Sequence, residues 1–149
     1  QEIIEAFGKD DLPDAFVAGV GTGGTLTGIG HALKELDQEI QVYALEPLES
    51  PVLKEGVAGK HKIQGISAGF VPEILDKQIY DGIIEVLSDE AIKMAREVAH
   101  KEGFLPGISA GANIYGAIEI AKKLGKGKKV VTVSPDGGDR YLSTELFNY

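Results

Sequence analysis

The chain has 149 residues, the size of one domain with its own core, and 43% of them are hydrophobic while 26% are charged. Its formal net charge of −8 at pH 7 excludes broad binding to nucleic acids or acidic membranes, which requires basic surfaces. Because cysteine is absent from the sequence, disulfides, thiolate nucleophiles and cysteine-ligated metals are excluded too.

The first half of the chain alternates predicted helices and strands. Residues 2–7 have the pattern of the last turns of a helix, and the apolar run over 14–20 is typical of a strand buried on both faces. Apolar residues then recur at helical spacing from Gly24 to Leu36, which predicts a second helix. A second buried strand is predicted over 40–47, where a proline ends it.

A long connection from Glu46 to Asp81 interrupts this alternation. It has little regular periodicity and is punctuated by glycines at positions 56, 59, 65 and 69. Connections of this length inside one domain are usually functional or mobile. We therefore expect this segment to border a functional site or to move.

The second half of the chain resumes the alternation with a strand predicted over 82–87. Ser88 is predicted to cap the helix that follows, with Asp89 and Glu90 in its first turn. The apolar face of that helix consists of Ile92, Ala95, Val98 and Ala99.

Another helix is predicted over 111–124, and the fourth strand over 128–136. The inward positions of the helix over 111–124 are predicted to be Tyr115, Ile118 and Ala121. The lysine-rich stretch 122–129 is interpreted as the end of this helix plus a turn. Strands separated by helices of this length predict a layered α/β domain, with a parallel sheet and helices on both faces.

Neither a metal site nor a membrane segment is predicted. His31, His61 and His100 share no metal-ligand spacing, and every apolar run is far shorter than a membrane helix needs. The first residues lack the basic and then apolar pattern of a signal peptide, which predicts a cytoplasmic protein. Because the chain starts at Gln1 inside an apparent helix, we also expect a segment upstream of it.

The stretch VAGVGTGGTLTG at 17–28 places glycines and threonines between a predicted strand and a predicted helix. Free amides at a helix N-terminus bind anions, and glycines let a phosphate approach the backbone. Two other interpretations stay open at this point. One is a tight turn without a ligand. The other is a dinucleotide site, because Gly19, Gly21 and Gly24 satisfy G-x-G-x-x-G and Glu46 ends the next strand where a ribose-binding acid is expected.

Three further motifs each allow a structural interpretation. Ser109 in GISAG can be a helix N-cap, and IQGISAGF at 63–70 can be a glycine-rich turn that packs its apolar residues. Asp136, Asp139 and Arg140 in PDGGDRYLST can form an ion-pair cluster. A hydrolase with Asp136 and Asp139 as paired carboxylates is the functional alternative, which nothing else in the sequence supports.

Taken together, these motifs resemble the C-terminal half of the fold type II pyridoxal-phosphate-dependent β-replacement enzymes. The resemblance is strongest to the cysteine synthases (O-acetylserine sulfhydrylases), with cystathionine β-synthases as near kin. It covers nearly the whole chain and depends on GVGTGGTLTG (19–28), EPLESPVL (46–53), HKIQGISAGFVPEILD (61–76), EGFLPGISAGAN (102–113) and PDGGDRYLST (135–144). The resemblance implies that the chain is the larger, C-terminal α/β domain of such an enzyme, spanning residues 1–149.

The resemblance also implies roles for single residues. The cofactor is pyridoxal 5′-phosphate, and its phosphate would be held by Gly21, Thr22, Gly23, Gly24 and Thr25. The Ser109 hydroxyl would bond the pyridine nitrogen, and Asp136 would lie near the ring. Gly65 and Ser67 would border the substrate.

The implied reaction replaces the acetoxy group of O-acetylserine by sulfide and gives L-cysteine through an aminoacrylate. The alternative is a cystathionine β-synthase-type condensation of serine or O-acetylserine with homocysteine. A function of another class also follows from the resemblance, namely a non-catalytic half that binds the C-terminal tail of serine acetyltransferase.

The family's catalytic lysine belongs to its N-terminal half, and the lysines of this chain lie in helical polar faces or turns. We therefore expect no catalytic residue within this chain, an N-terminal half elsewhere, and a fragment that is inactive alone. The resemblance further implies a homodimer.

Overall fold

The structure, a computed structural model, describes residues 2–8 and 11–147 and has the predicted α/β class. The helices are α1 (Glu2–Phe7), α2 (Gly24–Leu36), α3 (Val52–Glu55), α4 (Ser88–Glu102) and α5 (Ile108–Leu124). The strands are β1 (Ala15–Gly19), β2 (Gln41–Pro47), β3 (Gly82–Val86) and β4 (Val130–Thr132). Two 3-10 helices, Gly138–Tyr141 and Glu145–Phe147, follow β4. Among the described residues, no helix combines the length and the apolar composition needed to cross a bilayer.

The strands form one parallel sheet in the order β3-β2-β1-β4. In the register of the two central strands, Ala15 lies beside Gln41 and Gly19 beside Leu45. Because all strands run in the same direction, the loops that leave their carboxyl ends meet along one edge of the sheet. In open parallel sheets this edge is where ligands bind.

Helices cover both faces of the sheet, as predicted. On one face, Phe16, Ala18 and Val42 pack with Leu26 and Leu33 of α2. On the other face, buried residues of the sheet pack with α4 and α5; they include Val17, Leu45, Ala91, Ala95, Ile108, Ala112 and Ile120. Alternate residues of each strand thus point to opposite faces. The two central strands, β1 and β2, are almost fully buried, whereas β3 and β4 at the edges are mostly half-buried.

The prediction that Ser88 caps α4 is wrong. Ser88 is the first residue of the helix, and its N–H donates to Oε1 of Glu49 at 2.8 Å. Its hydroxyl oxygen instead accepts a hydrogen bond from the N–H of Lys62 at 2.9 Å. The cap therefore comes from a glutamate 39 residues earlier in the chain, a distance at which a local pattern gives no signal.

The predicted start and inward face of α5 are also partly wrong. The helix begins at Ile108 rather than Gly111, and Ile118 is 37% exposed. Its buried positions include small residues, Gly111 and Gly116 among them, because α5 packs closely against both α4 and the sheet. An amphipathic pattern of large residues does not identify a helix that is buried through small ones.

The remaining boundaries agree within a few residues, except that β4 is shorter than the predicted strand over 128–136. The lysine-rich stretch is the end of α5 followed by a turn, as expected, with Gly125 and Gly127 at positive φ. The long connection after β2 contains the short helix α3 and otherwise turns and bends.

Candidate functional site

A cavity of about 430 Å³ opens at the carboxyl edge of the sheet. Its wall is built from the loop between β1 and α2, the segment 64–66, the start of α5 and the residues that follow β4. Of the residues implicated by the sequence, the cavity brings together Gly21, Thr22, Gly23, Thr25, Gly65, Ser109 and Asp136. Gly24 begins α2 beside them, and Ser67 lies outside the cavity wall.

The N-terminus of α2 faces this cavity without a cap from a side chain. Gly23 occupies the N-cap position with φ +89°, a left-handed conformation that favours glycine. The hydroxyls of Thr22 and Thr25 line the cavity beside it and bond no other residue in the described part of the chain. The amides of the first turn and the positive end of the helix dipole therefore remain available to an anion.

The glycines of this loop allow a very close approach of two backbones. A side chain at Gly21 would overlap the carbonyl oxygen of Gly65, and a Cβ at Gly23 would lie 2.8 Å from the Cβ of Leu75. Gly24, by contrast, has space for a side chain, since its nearest neighbour would be Thr22 Oγ1 at 3.8 Å. Gly21 and Gly23 are thus required by packing against residues 65–75, which leaves a wall made of backbone.

Asp136 closes the second helix N-terminus at the cavity. Its Oδ1 accepts the N–H of Ala110 at 2.8 Å, and its Oδ2 accepts the N–H of Ser109 at 3.2 Å. The phenol of Tyr141 donates to the same Oδ2 at 2.6 Å. Burial and this hydrogen bond raise the pKa of Tyr141 well above its usual value, so the phenol remains a donor.

The interpretation of Asp136, Asp139 and Arg140 as an ion-pair cluster is wrong for the described residues. Asp136 bonds amides and a phenol, and no ion pair within 4.0 Å joins it to Arg140. Arg140 lies at the cavity wall, and Asp139 is exposed. The carboxylate that follows the last strand therefore caps α5, which a reading of the local sequence could not reveal.

Ser109 is not the N-cap of α5, because Gly107 occupies that position. Its side chain lies in the cavity wall and only 5% of the residue is exposed, yet the hydroxyl bonds no other residue in the described part of the chain. The Ser109 hydroxyl oxygen is open to the cavity, since the fully buried side-chain oxygen without a partner among the described residues is Oε2 of Glu49. This hydroxyl is therefore placed to bond a ligand.

Sequence reasoning missed Asn113 and Tyr141. Oδ1 of Asn113 accepts the N–H of Gly19 at 2.8 Å, and its Nδ2 donates to the carbonyl of Val133 at 2.9 Å. This amide connects the carboxyl ends of β1 and β4 at the cavity wall. An asparagine among small and apolar residues near the start of a predicted helix was the available signal.

Glu46 does not have the role of a ribose-binding acid. It is 1% exposed, and its oxygens accept the N–H groups of Leu53 at 2.6 Å and Lys54 at 3.1 Å. Burial raises the pKa of this carboxyl, with its two amide bonds acting in the opposite direction. Glu46 caps α3 and is absent from the cavity wall, so it cannot be the ribose-binding acid that the dinucleotide interpretation requires.

The two residues expected to border the substrate differ in their surroundings. Gly65 lines the cavity with φ +89°. Ser67 lies behind this wall, and its hydroxyl oxygen is 2.9 Å from that of Ser50. The part of Ser67 in the site is therefore at most indirect.

Comparison with known proteins gives a consistent result. A family model described as pyridoxal-phosphate dependent enzyme matches residues 1–136. A cysteine synthase of Staphylococcus aureus is 57% identical over 148 residues, which make up 99% of this chain and 47% of that protein. The chain thus spans about half the length of the curated relatives it matches.

Solved structures show the same similarity in three dimensions. O-acetylserine sulfhydrylase isoform 3 of Entamoeba histolytica has a TM-score of 0.94 and 42% identity, over 99% of this chain and 44% of that chain. The O-acetylserine dependent cystathionine β-synthase of Helicobacter pylori has a TM-score of 0.88 and 38% identity, over 98% of this chain and 47% of that one.

Proposed function

This chain belongs to the family of pyridoxal-phosphate dependent enzymes, and on that premise we propose that it is the C-terminal part of a cysteine synthase. The proposed reaction replaces the acetoxy group of O-acetylserine by sulfide and yields L-cysteine. The observation that supports the proposal is one cavity that has an open helix N-terminus and, in its wall, a serine hydroxyl that bonds no other described residue.

The open end of the cavity fits the phosphate of the cofactor. The first-turn amides of α2 and the hydroxyls of Thr22 and Thr25 would hold a dianion by hydrogen bonds and by the helix dipole. Neither lysine nor arginine lies in residues 17–28, so the helix end would supply much of the positive field. Asp136 supports this assignment, because it occupies the competing N-terminus of α5 with a negative charge.

The Ser109 hydroxyl fits the pyridine nitrogen of the same cofactor. When bound, pyridoxal phosphate supplies an electron-withdrawing ring that stabilises negative charge on the substrate. A carboxylate at this position would hold a proton on the ring nitrogen and strengthen that withdrawal. The neutral hydroxyl of Ser109 gives a weaker effect, which suits loss of a good leaving group from the β-carbon and disfavours transamination.

The nucleophile distinguishes two versions of this reaction. The relative from Staphylococcus aureus, at 57% identity, supports sulfide as the nucleophile and cysteine as the product. The likeness to the enzyme from Helicobacter pylori supports the alternative, in which homocysteine condenses with O-acetylserine or serine. We prefer sulfide because the sequence similarity to the cysteine synthase is much higher.

The remaining part of the active site is proposed to lie in an N-terminal half, which supplies the lysine that binds the cofactor covalently. None of the described residues in the cavity wall is a lysine. We also propose that this chain forms one domain over residues 1–149, that the complete enzyme is a cytoplasmic homodimer, and that the isolated chain is inactive. The family resemblance supports these points.

The experiment is a comparison of nucleophiles with the complete protein that contains this chain. Cysteine and cystathionine are quantified after incubation with O-acetylserine and either sulfide or homocysteine, in the presence of pyridoxal phosphate. The proposal predicts a higher kcat/KM with sulfide. A preference for homocysteine would establish the alternative, and the absence of both products would refute a β-replacement function.

A further inference from the structure

The segment behind the cavity wall is held by a pair of serine hydroxyls. Ser67 has φ +49° and is the only residue other than glycine with positive φ in the described part of the chain. Side chains with a Cβ disfavour this conformation, so the surrounding contacts must hold Ser67 in it. Gly65 and Gly69, two residues before and after Ser67, also have positive φ, +89° in both cases, but both are glycines.

The contacts of Ser67 engage each of its polar groups. Its hydroxyl oxygen lies 3.1 Å from the carbonyl oxygen of Ser50 and 2.9 Å from the Ser50 hydroxyl. One proton on each hydroxyl satisfies both bonds, with Ser67 donating to the carbonyl and Ser50 donating to Ser67. The Ser67 N–H donates to the carbonyl of Val20 at 2.9 Å, and Nε2 of His61 lies 3.1 Å from the Ser67 carbonyl.

Ser50 anchors this arrangement to the core. The residue is completely buried in the turn after β2, and its hydroxyl oxygen also accepts the N–H of Gly59 at 3.1 Å. Removal of the Ser67 hydroxyl leaves the proton of the buried Ser50 hydroxyl without its acceptor, a loss that costs more in a buried position than at the surface. The pair therefore connects the irregular segment 56–70 to the end of a sheet strand.

The connection continues to the cavity. Val20, which receives the Ser67 N–H, directly precedes Gly21 in the proposed phosphate loop. Two residues before Ser67, the carbonyl of Gly65 fills the space where a side chain at Gly21 would be. The position of Ser67 thus determines how closely the wall formed by residues 64–66 approaches the phosphate loop.

We propose that Ser50 and Ser67 are positioning residues, whose hydroxyl pair holds the Gly65 wall of the cavity at the distance that substrate binding requires. Neither side chain touches the cavity; both act through the backbone of Gly65 and Val20. The inference rests on the proposed function only for its kinetic consequence, since the packing of the wall is a property of the chain itself.

The test uses the complete protein with Ser50→Ala, Ser67→Ala, the double variant and Ser67→Gly. Hydrogen exchange of the residue 67 amide reports opening of its bond to Val20, expressed as a protection factor that corrects for the side chain. Loss of one buried hydrogen bond predicts roughly tenfold lower protection in each single variant. The double variant is expected to be no worse than Ser67→Ala, because that variant already lacks the bond between the two hydroxyls.

The kinetic readout separates positioning from general damage. KM for O-acetylserine is expected to rise in the same variants, with kcat nearly unchanged. Ser143→Ala is the matched control, because Ser143 is exposed and bonds no other described residue. Ser67→Gly relieves the backbone strain but removes the hydroxyl. Protection below that of the wild type in this variant would show that loss of the hydroxyl pair, and not backbone strain, lowers the protection.

Unchanged protection in either single variant, or losses that add in the double variant, would overturn the proposal. Full protection in Ser67→Gly would also overturn it, as would an unchanged KM in variants whose protection has fallen. If the wild-type protein makes no cysteine, the proposed function is wrong, and the exchange data still decide whether the pair holds the wall.

Discussion

At the scale of residues, Asp136 determines which helix N-terminus can bind an anion. Both α2 and α5 begin at the cavity, and both lack a cap from their own N-cap side chain. The carboxylate of Asp136 bonds the first amides of α5, whereas the α2 amides face open space. A single carboxylate thus gives the cavity two chemically different ends.

Asp136→Asn should destabilise the protein by roughly 1–2 kcal/mol, because a neutral amide offers one acceptor where the carboxylate offers two and is charged. Urea unfolding of the complete protein measures the effect. Asp139→Asn is the control, since Asp139 is an exposed acid in the same segment without a bond to another described residue. Equal stability of the two variants would contradict the role of Asp136 as a cap.

Ser109→Ala should weaken binding of pyridoxal phosphate while leaving the fold intact. The hydroxyl bonds no other described residue, so its removal costs little without ligand, but one hydrogen bond to the ring is lost. The expected loss is about 1 kcal/mol, or roughly fivefold in affinity. Cofactor titration monitored by absorbance provides the test, and unchanged affinity would exclude Ser109 from the cofactor site.

The buried carboxyl of Glu46 should make stability depend on pH. Burial raises its folded pKa above the usual 4.5, so its contribution to stability is complete below pH 4.5 and is lost as the pH rises through the folded pKa. The side chain of Glu46→Gln cannot ionise, so the variant does not lose this contribution as the pH rises. The unfolding free energy of the variant minus that of the wild type should therefore increase between pH 4 and pH 8, over roughly four pH units.

Urea unfolding at several pH values tests this prediction. Glu55→Gln is the control, because Glu55 is an exposed glutamate in α3, the short helix whose first amides Glu46 binds. A stability difference between Glu46→Gln and the wild type that stays constant over this pH range would show that the carboxyl has no raised pKa in the folded protein.

At the scale of elements, the close contact between α4 and α5 depends on small residues. A Cβ at Gly111 would overlap the carbonyl oxygen of Ala91 and lie 2.9 Å from the Cβ of Ala95. By contrast, Gly28 in α2 is exposed, and a Cβ there would meet no atom within 4 Å. The same substitution therefore has opposite consequences in two helices of one domain.

Gly111→Ala should destabilise the protein by roughly 1–3 kcal/mol, because the two helices must move apart. Gly28→Ala is the matched control and should stabilise it by about 0.5–1 kcal/mol through lower backbone entropy in the unfolded state. Urea unfolding midpoints of both variants check the signs. A change of the same sign in both would show that helix propensity, rather than packing, governs Gly111.

The elements also show what the sequence reveals about the fold. Continuous apolar runs predicted β1 to β3 within one or two residues, because strands of a parallel sheet that is covered on both faces are mostly apolar. The starts of α4 and α5 were misassigned, because their first amides bond Glu49 and Asp136, which are distant in sequence. Where distant residues determine the start of a helix, the local sequence does not predict it.

At the scale of the whole molecule, the parallel topology assembles the candidate site. It brings four separate segments to one edge of the sheet, namely the loop between β1 and α2, the Gly65 wall, the start of α5 and the segment after β4. The motifs of the glycine loop and of GISAG were visible in the sequence. The bonds of Asn113 and the Ser50–Ser67 pair were not visible, because they join segments that are separated in the chain. The bond from Tyr141 to Asp136 spans only five residues, but it depends on the turn of the 3-10 helix Gly138–Tyr141.

The most direct test of this account is a crystal structure of the complete protein with pyridoxal phosphate bound. We expect phosphate oxygens about 3 Å from the first amides of α2 and from the Thr22 and Thr25 hydroxyls, and the ring nitrogen at a similar distance from the Ser109 hydroxyl. A phosphate at another place, or a ring whose nitrogen is bonded by a residue other than Ser109, would contradict it.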